Sequence, residues 1–355
     1  MRKNQLLQSE QLKDKRILLA HSNVGAHKKH WHHSREISAK TLGYNLSTFC
    51  MSDLQPYTIF PRLDKKWRKK DATLMKLYEV LGEKIDSCDV FIHYNGAMIH
   101  PEFLAQFKQL KIYHCADDPD ASSVISKPVA NSYDICAISN PACIEMYKSW
   151  GCKQVFFWPI GAYHYDENTD AQHHNVLRDI QLSFVGGKFG ATRWRYVHRI
   201  PLLNKIPGLY LKKAFFEKIE KEFPFIAAYG GGWAKGRIED ADIPDLYRRT
   251  QVGINIHNSL GPINGRLYDL AAFGVCQLCD NKSHLHHVFE PGKEIIGFDT
   301  TTECIDLIRY YLTHPEEARA IGAAGQDRYM RDYTMDAIWK GFFDNVEIHN
   351  PRPVL

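Results

Sequence analysis

The sequence predicts an α/β protein of two Rossmann-like domains, each built on a parallel sheet. Three observations lead there. The chain has 355 residues, beyond the usual reach of one hydrophobic core, so two domains of about 150 to 180 residues are expected. Short apolar runs alternate with longer amphipathic stretches along its length, the pattern of successive βαβ units. That alternation lapses between Tyr163 and Asp179, where DENTDAQHHN shows no periodicity, and then restarts, which marks a linker. The expected divisions are a first domain over 1–165, a linker over 166–179, a second domain over 180–334 and a terminal amphipathic segment over 335–355.

In order, RILLAHS is the first strand, and GAHKKHWHHSREISAKTLGYN is a loop running into a helix that stops at Gly43. LSTFCMS is the second strand, and the amphipathic ATLMKLYEVLGEKI leads to the buried strand DVFIHYN. LKIYHCADDPD is a strand ending in an acidic loop, SYDICAIS another, PACIEMYKSWG a helix with a glycine stop, and VFFWPIG the last strand of this half. The second half opens with the strand and glycine turn IQLSFVGG, then the helical RYVHRIPLLNKI, the strand and turn IAAYGGGW, the short helix IPDLYRRT and the strand VGINIHN. RLYDLAAFG is helical, VCQLCD and EIIGFD are strands, TECIDLIRYYLTHPEEARAIGAAGQDRYM is a helical pair, and DAIWKGFFDNVEI is the terminal amphipathic stretch.

An apolar share of 44% with 24% charged residues describes an ordinary globular chain. The net charge of +4, from 45 basic and 41 acidic residues, is too small to argue for nucleic acid. The basic residues do cluster, in HKKHWHHSR and in LDKKWRKK over 63–70. Each is either a solvated face or a surface for an anionic acceptor, a diphosphate or a peripherally contacted phospholipid membrane. No window has the roughly 18 apolar residues of a membrane span, and the N-terminus has no apolar stretch of secretory length, so a cytoplasmic protein is expected. Nine cysteines, among them Cys88, Cys136 and Cys276 in apolar runs, agree with a reducing compartment. Cys276 and Cys279 form a CxxC inside a buried strand with no second pair. His27, His30, His32 and His33, like the HLHH at 284–287, lack acidic or cysteine partners, so no metal or other cofactor is expected.

VGINIHNSLGPINGRLYDLAAFG carries the most chemistry. A strand ends in a loop containing Gly and Pro, and a helix begins near Arg266 with an acid in its first turn. Such a helix start offers unpaired N–H groups and a positive dipole end to a diphosphate, and Arg266 adds a bidentate contact. Asp269 then accepts from ribose hydroxyls, or else serves the helix as a structural cap. In the first half, Asp117 and Asp118 end a strand at the carboxyl edge where such sheets place ligands. They are a catalytic base or acceptor-orienting pair, or ordinary turn caps before Pro119. His93 and His114 close strands on the same edge, as catalytic contacts or as core histidines. The Gly25 loop, HSNVGAHKKH, lacks the GxGxxG spacing of a dinucleotide site, which argues against NAD.

Over about Leu182 to Thr334 the ordered set SFVGG with a following Arg193, YGGGW, VGINIHN, INGRLYDLAAFG, FEPGKEIIGFD and YYLTHPEEARAIGAAGQDRYMRDYT resembles the group 1 family of GT-B glycosyltransferases. Within it, the similarity is to the spore-maturation, CgeB-like branch. The resemblance implies the GT-B fold: two Rossmann-like domains with parallel sheets facing a central cleft, the donor held by the second, the acceptor by the first, and the last helix crossing back to the first. It implies a hexosyl transfer from a UDP-, GDP- or TDP-sugar to a glycan, lipid-linked glycan, protein or small metabolite, retaining and without a metal.

On the donor side the resemblance places Gly187 and Gly230 in the glycine turns, Gly25 in the loop that nears the phosphates, and His257 at the end of VGINIHN. Lys188 and Arg193 match the basic pair that neutralises the diphosphate in place of a metal. Asn264 and Arg266 match the branch. Of the family's two glutamates the second is represented by Asp269, while the first falls on Gly261. Two other readings stay open: an epimerase-like enzyme acting on nucleotide-sugars, and a degenerate GT-B binding or scaffold protein, which those departures favour.

Overall fold

The computed structural model describes residues 12–22, 28–165, 177–188, 212–257, 263–281 and 285–349. The chain forms two compact units, Met1–Ile160 together with Met335–Leu355, and Gly161–Thr334. It therefore changes unit at Gly161, ahead of the polar stretch that the sequence marks as the linker. Residues 166–176 of that stretch lie outside the described residues.

Six strands form the sheet of the first unit: β1 (Arg16–His21), β2 (Asn45–Cys50), β3 (Val90–Tyr94), β4 (Leu110–His114), β5 (Ile135–Ile138) and β6 (Val155–Phe157). Their order is β2-β1-β3-β4-β5-β6, and every pair is parallel. Ile17, Leu18, Leu19 and Ala20 are all buried. A strand covered on both faces needs a continuous apolar run rather than alternation, as RILLA shows. The helices are α1 (Lys28–Thr41), α2 (Phe60–Arg68), α3 (Ala72–Asp86), the single turn α4 (Pro101–Leu104) and α5 (Ile144–Ser149). Asp71 caps α3 by accepting from Leu74 N at 3.1 Å, and Leu74, Leu77, Tyr78, Leu81 and Ile85 form its buried stripe. The charged LDKKWRKK, with no element assigned to it by pattern, lies mostly in α2. Pro61 sits in the first turn and Leu63 is buried, while Arg62, Lys65, Arg68, Lys69 and Lys70 stay exposed.

The second unit has five strands: β7 (Ile180–Val185), β8 (Ala227–Tyr229), β9 (Thr250–Asn255), β10 (Cys276–Asp280) and β11 (Ile296–Phe298). They are parallel in the order β11-β10-β9-β7-β8. Its helices are α6 (Lys212–Glu222), α7 (Ile243–Arg248), α8 (Gly265–Ala272), α9 (Thr301–Thr313) and α10 (Pro315–Asp332). Leu182, Phe184, Val252, Ile254 and Leu278 pack with Phe215, Phe216 and Ile308, and Tyr247, Leu270, Phe273 and Val275 form a second cluster. Helix α10 approaches the turn before β10 backbone to backbone: a Cβ at Gly322 would lie 2.2 Å from Gly274 O. RYVHRIPLLNKI lies outside the described residues.

The last helix, α11 (Met335–His349), belongs to the first unit. Trp339, Phe342 and Phe343 are buried, Trp339 Nε1 donates to Arg35 O at 2.8 Å, and Phe343 stacks on Tyr44 at 3.5 Å. Arg35 is itself fully buried, its guanidinium 4.9 Å from the Tyr94 ring and 5.0 Å from the Trp158 ring. Aromatic faces are among the few apolar surfaces that hold such a cation. Among the described residues no helix is long and apolar enough to cross a membrane.

Candidate functional site

In the second sheet the strand order reverses between β7 and β9. Connections leave these two strands in opposite directions, so a crevice opens beyond their carboxyl ends, where open α/β sheets bind ligands. Arg266, in the first turn of α8, spans that point. Its Nε donates to Val185 O at the end of β7 (2.7 Å) and its Nη1 to Asn255 Oδ1 at the end of β9 (3.0 Å), and its guanidinium lies 4.6 Å from the Phe184 ring. These bonds use two of five N–H donors. Asn264 is the N-cap of α8: its Oδ1 accepts from Leu267 N (3.1 Å) and its Nδ2 donates to Asn255 Oδ1 (3.0 Å). Asn255 in turn donates to Gln277 Oε1 (3.1 Å), and Gln277 Nε2 donates to Leu267 O (3.1 Å). This buried amide chain fixes Arg266 before any ligand arrives.

The glycine turns lie at the same edge. Gly186 and Gly230 have φ of +153° and +128°, and a Cβ on Gly230 would come within 2.4 Å of Gly186 O, so only glycine lets the two turns meet. Trp233 Nε1 donates to Gly186 O (2.8 Å) and Lys188 N to Gly231 O (2.9 Å). Gly187 is exposed between them. The Lys188 ammonium is ion-paired with Glu220 and lies 5.0 Å from the Trp233 ring; a phosphate would have to compete with that carboxylate. Arg193 and Gly25 lie outside the described residues.

Asp269 corrects an expectation. It is the fifth residue of α8, not an acid of its first turn, and it is buried. Oδ1 accepts from Tyr163 N (2.8 Å) and His164 N (2.9 Å), and Oδ2 pairs with His164 Nδ1 (2.9 Å). The chain itself takes three of the roughly four acceptor sites of this carboxylate, so Asp269 anchors the start of the second unit and at most one site on Oδ2 is left for a ribose hydroxyl. Burial works against a charge on His164, but Asp269 and then Asp240 outweigh it and hold its pKa above the ordinary value. The pair's contribution to stability is thus present below about pH 6.5 and fades as pH rises through the higher folded value.

His257 and Asp280 form a second buried acid–imidazole pair, Nδ1 to Oδ1 at 2.6 Å. With Cys279, whose Sγ lies 3.8 Å from the same Nδ1, they are a group with metal-ligand chemistry that the separate inspection of histidines and cysteines overlooked. Asp280 also accepts from His257 N, at 3.1 and 3.3 Å. The carboxylate is therefore arranged to orient the imidazole.

In the first unit three of the four catalytic candidates are buried. His93 and His114 are fully buried. His93 Nδ1 meets Tyr133 OH at 2.6 Å, and His114 Nδ1 donates to Ala137 O at 2.7 Å. Burial lowers each pKa to about 3, helped at His114 by Arg35, so neither takes up a proton near neutrality. Asp118 is buried, its Oδ2 bonded by Ser126 Oγ (2.6 Å) and the Tyr147 hydroxyl, and burial raises its pKa. Each of the three is bonded into the edge through one atom, while His93 Nε2, His114 Nε2 and Asp118 Oδ1 have no hydrogen-bond partner among the described residues. Asp117 differs: it is exposed and accepts only a 3.2 Å bond from Asn95 Nδ2 among the described contacts.

Residues 211–344 match a family described as glycosyl transferase-like. A sequence comparison with curated proteins finds no match. Among solved structures, the chain is similar to sucrose-phosphate synthase from Thermosynechococcus elongatus, with a TM-score of 0.60 at 12% identity, covering 92% of this chain and 97% of that one. It is also similar to a glycosyltransferase from Rickettsia africae, with a TM-score of 0.58 at 11% identity over 95% and 98% of the two chains. HepE of Anabaena in complex with UDP and glucose gives 0.56 at 12% identity over 94% and 100%. The fold is GT-B.

In this GT-B chain the residues that pattern reading missed are Asn255, Gln277, Asp280 and Tyr163. The first two sit inside apolar strands, where a buried amide signals a polar network, and that signal was present in VGINIHN and VCQLCD. Tyr163 carries no such signal. Its ring covers the start of α8 so closely that a Cβ on Gly265 would fall 2.2 Å from Cδ2 and Cε2. Gly265→Ala is expected to displace that ring and lower the melting stability by roughly 1–3 kcal/mol, read by chemical denaturation; an unchanged midpoint would show that the ring moves aside freely.

Proposed function

We propose that this GT-B protein is a glycosyltransferase that takes a hexose from a nucleotide-sugar, UDP-, GDP- or TDP-linked, and that its second unit holds the donor. The observation that carries this is Arg266, fixed by Val185 O and Asn255 across the β7–β9 divergence, beside the glycine turns at 186–188 and 230–232. The bound UDP of HepE and the glycosyl transferase-like match support the donor class. Arg266, with Lys188 once released from Glu220, supplies positive charge where the departing diphosphate gains negative charge, a role that metal ions fill elsewhere. Retention of configuration and independence from metal belong to the same proposal. On the acceptor side, Asp117 is an exposed carboxylate just beyond the end of β4.

Calorimetry with UDP-, GDP- and TDP-sugars tests the reading. One class is expected to bind, and Arg266→Ala to weaken it by roughly 10- to 100-fold, the worth of a charge-assisted contact. No binding by the wild type of any of the three would end the reading. Transfer abolished by EDTA and restored by added divalent cations would end its metal-independent part.

A further inference from the structure

A buried acceptor at the carboxyl edge of the second sheet stands without a partner. The His257 side chain is wholly buried, its Nδ1 is 2.6 Å from Asp280 Oδ1, and among the described residues nothing hydrogen-bonds its Nε2. A carboxylate only accepts, so Nδ1 carries the proton of that bond, and in the neutral ring Nε2 is left with a lone pair. Asp280 also accepts from the His257 backbone N–H, so ring and main chain are fixed to the same carboxylate. Buried polar atoms in folded proteins are nearly always bonded, and one left over beside a ligand edge invites a ligand.

The position narrows the ligand. His257 lies two residues beyond Asn255, whose Oδ1 holds both Arg266 and Asn264, which places it on the edge that gathers the donor. Asp269 accepts from Tyr163 and His164, which leaves at most one site on its Oδ2 for a donor hydroxyl and room for a second acceptor on this edge. Phosphate oxygens accept and offer nothing to a lone pair, whereas a hydroxyl donates. We propose that His257 Nε2 accepts a hydrogen bond from a sugar hydroxyl of the bound donor, and that Asp280 is the positioning residue that sets its tautomer. This rests on the nucleotide-sugar reading above. The hydroxyl belongs either to the ribose or to the transferred hexose.

Calorimetry on the full chain separates the two sources, using UDP, UDP-glucose and 2′,3′-dideoxy-UDP with their guanosine counterparts. His257→Asn keeps an amide near the Nδ1 position and removes Nε2. A ribose contact predicts that the dideoxy ligand binds the wild type about tenfold more weakly than UDP, with that difference lost in H257N. A hexose contact predicts that H257N weakens UDP-glucose about tenfold while leaving UDP unchanged. Asp280→Asn, which frees the ring to adopt the other tautomer, is expected to reproduce the same selective loss. Wild-type affinities for all three ligands in a variant with the wild-type melting temperature would overturn the proposal and leave Nε2 to a buried water. If H257N does not fold, the wild type decides alone: equal affinity for UDP and the dideoxy ligand, with a His257 Nε2 resonance unmoved by UDP-glucose in nitrogen NMR, overturns it as well. Failure of UDP-, GDP- and TDP-sugars alike to bind the wild type is a different result, because it removes the donor reading itself.

Discussion

Asp269→Ala is expected to cost the second unit about 3–5 kcal/mol, a large part of the 5–15 kcal/mol that a domain commonly has. The carboxylate is buried and receives three donors, Tyr163 N, His164 N and His164 Nδ1. Its removal leaves two partly buried backbone N–H groups and an imidazole without this acceptor, and the remaining partners are then worse than an apolar pair would be. The measurement is urea denaturation, with hydrogen exchange reporting on the segment that follows Gly161. Asp269→Asn keeps an oxygen for the two backbone donors and is expected to lose less. The opposite outcome is just as definite. If Asp269→Ala keeps the wild-type midpoint and loses nucleotide affinity instead, the residue contacts ligand after all, and the donor site must be redrawn around it.

Acid is expected to unfold the first unit before the second. His21, His93 and His114 are buried, and burial lowers their pKa values from the ordinary 6.5 to about 4, about 3 and about 3, with Asp53 and Glu36 opposing the shift at His21 and Arg35 adding to it at His114. Above pH 6.5 all three are neutral in the folded and unfolded chain, so they add no pH dependence. Below it the unfolded chain takes up protons that the folded chain refuses, and stability falls with falling pH until the folded values are reached. Each such proton is worth roughly 1.4 kcal/mol per pH unit, so three together approach 4 kcal/mol per unit near pH 5. A unit of ordinary stability would be lost within about two to three pH units. In the second unit His164 shifts the other way. Hydrogen exchange across pH 7 to 4 would show protection in β1, β3 and β4 failing first, and His93→Phe is expected to reduce the slope by about a third. A flat stability of the first unit between pH 6.5 and 4.5 would contradict the burial of these rings.

The strand runs were legible because parallel strands covered on both faces are predominantly apolar, as ILLA and VFI are, with the polar Gln277 and Asp280 of CQLCD the exceptions. Helix α3 was legible from the spacing of its buried residues. Helix α2 was not, since its charge dominates the pattern and one buried side chain, Leu63, is all that marks its inner face. The site was legible in outline: Asn264, Arg266 and the glycine turns do gather at one sheet edge. Their tasks were not legible, because a carboxylate or an imidazole serves a ligand and a structural hydrogen bond with the same atoms. Asp118, His93 and His114 are the right chemical types at or just beyond strand ends, and Asp269 is the right type inside α8; all four are buried and bonded to the fold through at least one side-chain atom.

The sequence by itself determined the class of the protein. Periodicity depends on which residues must avoid water, and that requirement repeats along the chain whatever its final path, so two α/β halves and the glycine turns could be read directly. Which polar groups are left for a ligand was decided only by the tertiary structure. Hydrogen-bond partners such as Asp269 with Tyr163, Asn255 with Arg266, and Asp280 with His257 are 106, 11 and 23 residues apart, and no local pattern encodes them. Only when those partners are in place does it emerge that Asp269 is largely taken up by the chain while Arg266 uses two of its five donors on Val185 and Asn255.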